Sequence, residues 1–100
     1  MAKIRRLIWD SKALDDLTKS LEWISYQSFQ EAEKVEESIL NKLEVVKFNP
    51  ERYPPDKYKN SNPGHYRALE IYSFRIAYSY NEDEIRILRV RHVKQEPKEY

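Results

Sequence analysis

Residues 86–100, RILRVRHVKQEPKEY, place Arg86, Arg89, Arg91, His92, Lys94 and Lys98 ahead of Tyr100. Cations beside a phenol suit phosphate chemistry, because guanidinium and ammonium groups donate to anionic oxygens. The same stretch interleaves Ile87, Leu88, Val90 and Val93 with charge, which is also how the wet side of an ordinary sheet is written. Further candidates are Arg67 in HYRALEI, Arg75 in FRIAYSY, and Lys57 and Lys59 beside Tyr53 and Tyr58 in the proline-rich stretch that precedes them.

Composition removes several alternatives. There is no cysteine, so neither a disulfide framework nor a thiolate metal site is available. His65 and His92 are too far apart to make a metal signature, and a chain with one glycine cannot build a phosphate-cradling glycine loop. No metal or cofactor is expected. No apolar run approaches the roughly 20 residues of a membrane span, and MAKIRRLIWD lacks the apolar stretch of a secretory signal, so the expected location is cytoplasmic, away from membranes.

The net charge of +1 hides an asymmetry. Residues 1–9 carry three basic groups and no acid, residues 10–51 five basic and ten acidic, and residues 52–100 ten basic and seven acidic. If the flanks form a sheet and the middle forms helices, the molecule has a basic and an acidic side.

The elements that position these groups follow from periodicity. KIRRLIW (3–9) reads as a first strand. Asp10 and Ser11 offer N-cap oxygens to a helix with an apolar stripe of Leu14, Leu17, Leu21 and Ile24, widened by Trp23. SFQE (28–31) reads as a capping box opening a second helix, with Ala32, Val35, Ile39, Leu43 and Val46 on its apolar face, Leu40 alongside, and Glu33, Glu36 and Glu37 toward water. So short a connection predicts an antiparallel helix hairpin. FNPERYPPDKYKNSNPGH (48–65) holds four of the five prolines and Gly64, and reads as a long loop. Three strands follow, HYRALEI, FRIAYSY and EIRILRVRHV, with Tyr78 and Tyr80 in step with Phe74 and Ile76 as core. The expected fold is α+β: an N-terminal strand and an antiparallel helix hairpin packed on a mainly antiparallel four-stranded sheet, β-α-α-β-β-β, with residues 1–100 forming one domain.

That order, with YRALEIYSFRIAYSY and IRILRVRHVKQEPKEY, resembles the RelE/ParE toxins of bacterial type II toxin–antitoxin modules. The similarity covers nearly the whole chain: a strand ending in Trp9, a helix with Ala13 and Leu17, a second around Ala32, NP at its end, then Tyr66-Arg67, FRIAY and LRVRH. It implies a growth-inhibiting toxin, of a kind linked to plasmid stabilisation, held in a hetero-oligomer by a cognate antitoxin. RelE-like members cut messenger RNA on the ribosome, whereas ParE-like members inhibit DNA gyrase and lack the nuclease residues. The resemblance therefore implies either an endoribonuclease (an mRNA interferase), toward which the tail leans, or a non-enzymatic gyrase inhibitor, or a non-toxic member that still binds its antitoxin.

For RNA cleavage, the resemblance implies a catalytic set of Tyr100, Arg75, Lys94 and His92. Tyr100 would be the base, its pKa lowered from about 10 by Arg89, Arg91, Lys94 and Lys98. Arg75 would hold phosphate, with an ion pair to Glu70 as its alternative. His92 would give a proton to the leaving oxygen, or else sit half-buried on a face with Leu88 and Val90. Arg67, Arg89, Arg91, Lys57 and Lys59 would bind RNA or phosphate. RelE-like nucleases commonly carry two alternating basic groups on the strand of Arg67, but here Ala68 and Leu69 follow it. A two-residue connection at Tyr72-Ser73 would put Arg67 and Arg75 on opposite faces, and a three-residue connection would bring them together.

Overall fold

The computed structural model describes residues 4–93 and 99–100. In chain order they form β1 (Arg6–Trp9), α1 (Ser11–Gln27), α2 (Phe29–Phe48), a short 3-10 turn (Pro50–Arg52), β2 (Tyr66–Ile71), β3 (Phe74–Tyr80) and β4 (Glu84–His92). The sheet order is β1-β4-β3-β2, with β1 parallel to β4 and the other pairs antiparallel. This is the β-α-α-β-β-β arrangement expected from periodicity. The crossover from β1 to its parallel neighbour carries both helices, and α1 packs against β4 and α2.

Ser28 forms the whole joint between the helices. Its amide closes α1 on the Ile24 carbonyl, and its Oγ accepts from the Glu31 amide to open α2. This is half of the expected capping box. At the other helix start, Asp10 makes no side-chain cap; its carboxylate accepts from Arg86 of β4 at 3.0 Å. The ion pair ties the end of β1 to β4 and leaves the first amides of α1 without that cap.

On α2 the expected Ala32, Val35, Ile39, Leu43 and Val46 are all buried, but Leu40, expected alongside them, is exposed. The α1 stripe is narrower. Ala13 and Leu17 are buried and Leu21 and Ile24 partly so, but Leu14 is 50 % and Trp23 63 % exposed. Ala13 takes the fully buried position where α1 packs on β4 and α2, and the next residue, Leu14, turns outward. Under the helices the sheet contributes Leu69, Phe74, Ile76, Tyr78, Ile85, Ile87 and Val90. Tyr80 is half-buried rather than fully core.

A β-bulge makes that face possible. Ala77 is opposite Arg89, but the next β3 residue, Tyr78, is opposite Ile87, so Leu88 is extra. Side chains alternate strictly along a strand, so without the extra residue Ile85 and Ile87 could not share a face with Val90. The bulge puts all three under the helices and sends Arg86, Arg89 and Arg91 to the open face. His92 shares the helix-side face with Val90 as expected, opposite Phe74, whereas Leu88 is the bulged residue.

Two substitutions separate the real stripe from the one periodicity suggests. Leu17→Ala should cost about 2–5 kcal/mol, whereas Leu14→Ala on the same helix should stay within roughly 0.5 kcal/mol. Urea unfolding of both variants against the parent measures the difference.

Candidate functional site

The β2–β3 connection consists of two residues, since Ile71 is opposite Phe74. Tyr72 carries the positive φ of 53° that this tight turn requires, at a position favouring glycine. Its hydroxyl meets Ser38 Oγ of α2 at 3.2 Å. With this register Arg67 faces the same side as Leu69, Ile76 and Tyr78, and Arg75 faces the other.

Arg67 is correspondingly absorbed into the loop. Its guanidinium donates to the carbonyls of Gly64 (3.0 Å), Tyr53 (2.8 Å) and Glu51 (3.4 Å). Tyr78 donates to the Pro50 carbonyl, and Asn62 bridges the backbones of Asp56, Gly64 and Tyr66. The long stretch after α2 is thus an ordered platform. It docks on β2 through the Asp56 amide and the Tyr66 carbonyl at 2.8 Å, and this docking sets Asp56 over the open face of the sheet.

There one rung runs Glu70, Arg75, Arg91 across β2, β3 and β4, with Arg89 opposite Ala77 on the next. Two guanidinium groups side by side repel. Asp56, only 3 % exposed, relieves this by accepting from Arg75 at 2.7 Å, with Glu70 a further 3.6 Å from the same guanidinium. The other Asp56 oxygen accepts from the Tyr100 phenol at 2.6 Å, and the Tyr58 amide donates to the first. Tyr100 is held by its main chain too: its amide donates to the Tyr58 carbonyl and its carbonyl accepts from the Asn60 amide. Arg89 (4.7 Å) and Lys59 (5.5 Å) both approach its ring, while Arg75 covers Tyr58 at 4.9 Å.

A pocket of about 90 Å³ is lined by Arg75, Arg89, Arg91, His92, Lys57 and Tyr100, with Asp56 and Glu70 at its acidic side. Six of the nine residues singled out from the sequence therefore line one cavity, although the His92 ring is turned to the helix side, 5.8 Å from the Phe74 ring. Arg67 lies on the opposite side of the sheet, Lys59 approaches only through the Tyr100 ring, and Lys94 falls outside the described residues. Among the described residues, no group of three or more metal-ligating side chains is present. No described helix is long and apolar enough to cross a membrane.

Electrostatics reverse one expectation. Burial, then the hydrogen bond to Asp56 and its charge, push the Tyr100 phenol well above its ordinary value, outweighing Arg89 and Arg75. Cations alone would lower it, but a buried carboxylate in direct contact favours the proton. Burial also pushes the Asp56 carboxyl up, yet the hydrogen bonds from Tyr100, Arg75 and the Tyr58 amide, with the Arg75 charge, hold it below the usual carboxylate value. Burial and then Arg91 lower the Arg89 pKa, but from so high a starting value that the group stays charged at neutral pH. The residue that sequence reasoning passed over is Asp56. Its signal was faint: the one acid between Arg52 and Arg67, directly after Pro54-Pro55.

Residues 7–97 match the family model described as the ParE toxin of type II toxin–antitoxin system, parDE. Among solved structures, the chromosomal ParDE toxin–antitoxin system from P. aeruginosa has a chain similar in fold, with a TM-score of 0.69 at 21 % identity, covering 91 % of this chain and 98 % of that one. A comparison with curated proteins finds no match.

The two pKa directions set opposite pH limits. The depressed Asp56 pKa means its stabilisation is present above the ordinary value of 3.8 and is lost as pH falls below it toward the folded value. The raised Tyr100 pKa means its stabilisation is present below about 10 and is lost as pH climbs above it. Tyr100→Phe should therefore flatten the loss of stability above about pH 10 and leave one fewer late-titrating phenol. Thermal unfolding across pH, with tyrosinate absorbance in parallel, measures both.

Proposed function

Since the chain belongs to the ParE toxins of type II toxin–antitoxin systems, we propose that it arrests growth as a non-enzymatic inhibitor of DNA gyrase, neutralised by its cognate antitoxin. The observation that carries this reading is the double engagement of Asp56. Internal attack on RNA needs a base able to take the 2′-hydroxyl proton and cations directed at the charged phosphorane. Here the phenol donates its own proton to Asp56, and Arg75 is committed to the same carboxylate. The second basic position of the β2 strand is vacant, and Arg67 is bound to backbone carbonyls on the far side. What remains is a cationic, aromatic-rich surface suited to holding a macromolecular partner.

One observation favours the alternative, ribosome-dependent messenger RNA cleavage: Arg75, Arg89, Arg91 and Tyr100 do line a single pocket. In that reading a substrate phosphate displaces Asp56 from Arg75, and the phenol loses its proton with Asp56 removed. The two readings part at the hydroxyl of Tyr100. Inhibition of gyrase needs no proton acceptor, so Tyr100→Phe should still arrest growth, and purified protein should block supercoiling of relaxed plasmid by gyrase. Intact supercoiling at excess toxin, together with cleaved message in a translating extract that disappears with Tyr100→Phe, would reverse the assignment.

A further inference from the structure

The contacts around Tyr100 have the composition of a recognition site. Tyr58 and Asn60 flank Lys59, and they take the N–H and the C=O of the same residue, at 2.9 and 2.6 Å. This is a strand-like bridge that reads extended main chain whatever its sequence. The ring is read separately, by the cations of Arg89 at 4.7 Å and Lys59 at 5.5 Å from its centroid, contacts that favour an aromatic face. The phenol is read by Asp56, whose carboxylate is buried and already aligned by Arg75 and the Tyr58 amide. A phenylalanine would fit the same space but leave a buried carboxylate oxygen short of a donor, which is the stronger form of discrimination.

The platform under the site is held by interactions that do not involve Tyr100. Asn62 ties Asp56 to Tyr66, the Asp56 amide is on the Tyr66 carbonyl, and Arg67 holds Tyr53 and Gly64. The receptor is therefore built independently of its occupant. We propose that Asp56, the Tyr58–Asn60 main chain, Lys59 and Arg89 form an exchangeable tyrosine-binding site, filled in cis by Tyr100, that accepts a tyrosine carried by an extended peptide segment in trans. Tethering gives Tyr100 an effective concentration in the millimolar range, so the site stays closed until a competing segment is abundant or binds more tightly. Exchange puts the incoming ring on Arg89 in place of the chain's own, so the segment that carries it is anchored beside the cationic pocket. The inference stands whichever target the toxin has.

The test uses the full chain carrying Tyr100→Ala and the peptide QEPKEY, which is residues 95–100. By calorimetry or amide shifts, the peptide should bind the variant with a Kd of roughly 0.1 mM, and the parent chain about tenfold more weakly, as competition from a tether in the millimolar range requires. The peptide QEPKEF should lose about tenfold on the variant, and Asp56→Ala in the same background, which leaves no side-chain partner for the phenol, should abolish the preference for tyrosine over phenylalanine. No binding to a folded Tyr100→Ala chain at several millimolar, on that same scale, or equal binding of the two peptides, would overturn the proposal. If Tyr100→Ala does not fold, Tyr100→Phe keeps the ring in place. The Asn60 amide should then exchange with solvent about tenfold faster than in the parent, and unchanged exchange would equally overturn it.

Discussion

The carboxylate of Asp56 is the interaction around which the open side of this molecule is organised. It is almost wholly removed from water, and it accepts from a guanidinium, a phenol and a backbone amide that come from three separate parts of the chain. A buried charge is tolerated only when it is this thoroughly paired. Removing one partner of a buried ion pair typically costs about 3–5 kcal/mol, mostly because the other charge is stranded. Asp56 thus does three things at once. It neutralises an arginine that the sheet register sets beside another arginine, it fixes the loop after α2 over the sheet, and it holds the proton of Tyr100 in place.

The sheet beneath depends on a smaller device. The β4 strand must give apolar side chains to the helices along its whole length, and its sequence alternates in one phase up to Ile87 and in the other from Val90. The bulge at Leu88 joins the two phases. Its second effect is on the open face, where Arg89 and Arg91 come to lie near Arg75 instead of under α1. Packing and charge placement are set by the same inserted residue, so the basic pocket is a by-product of satisfying the core. Once three guanidinium groups lie together, a buried carboxylate becomes the cheapest local remedy.

For the toxin as a whole, the helices and the open sheet face divide the surface by chemistry. The helices present exposed Trp23, Tyr26 and Phe29 along with the water-facing glutamates of α2, while the sheet presents arginines with tyrosines stacked among them. A chain that binds both an antitoxin and a target gains from two surfaces of different character, because a partner complementary to one is mismatched to the other.

Much of the architecture was legible from the residues alone. The α2 face from Ala32 to Val46, the Ser28 cap and the three-stranded meander depend on short-range periodicity and capping, which are properties of neighbouring residues. The α1 stripe was legible only in part, since whether Ala13 or Leu14 meets the sheet depends on how closely the helix approaches. The grouping of Arg75, Arg89, Arg91, His92 and Tyr100 was read from family resemblance, and the register then decided which cations join it. Tyr72-Ser73 bears no signature of a tight turn, so the choice between a two-residue and a three-residue connection, and with it the exclusion of Arg67, stayed open in the sequence. Residue types and their spacing determined the elements, their order and the supply of cations. Only the tertiary structure decided that a loop aspartate would reach the last tyrosine across 44 residues, because a proton's position depends on which groups are brought within hydrogen-bond distance and shielded from water, and neither condition is local.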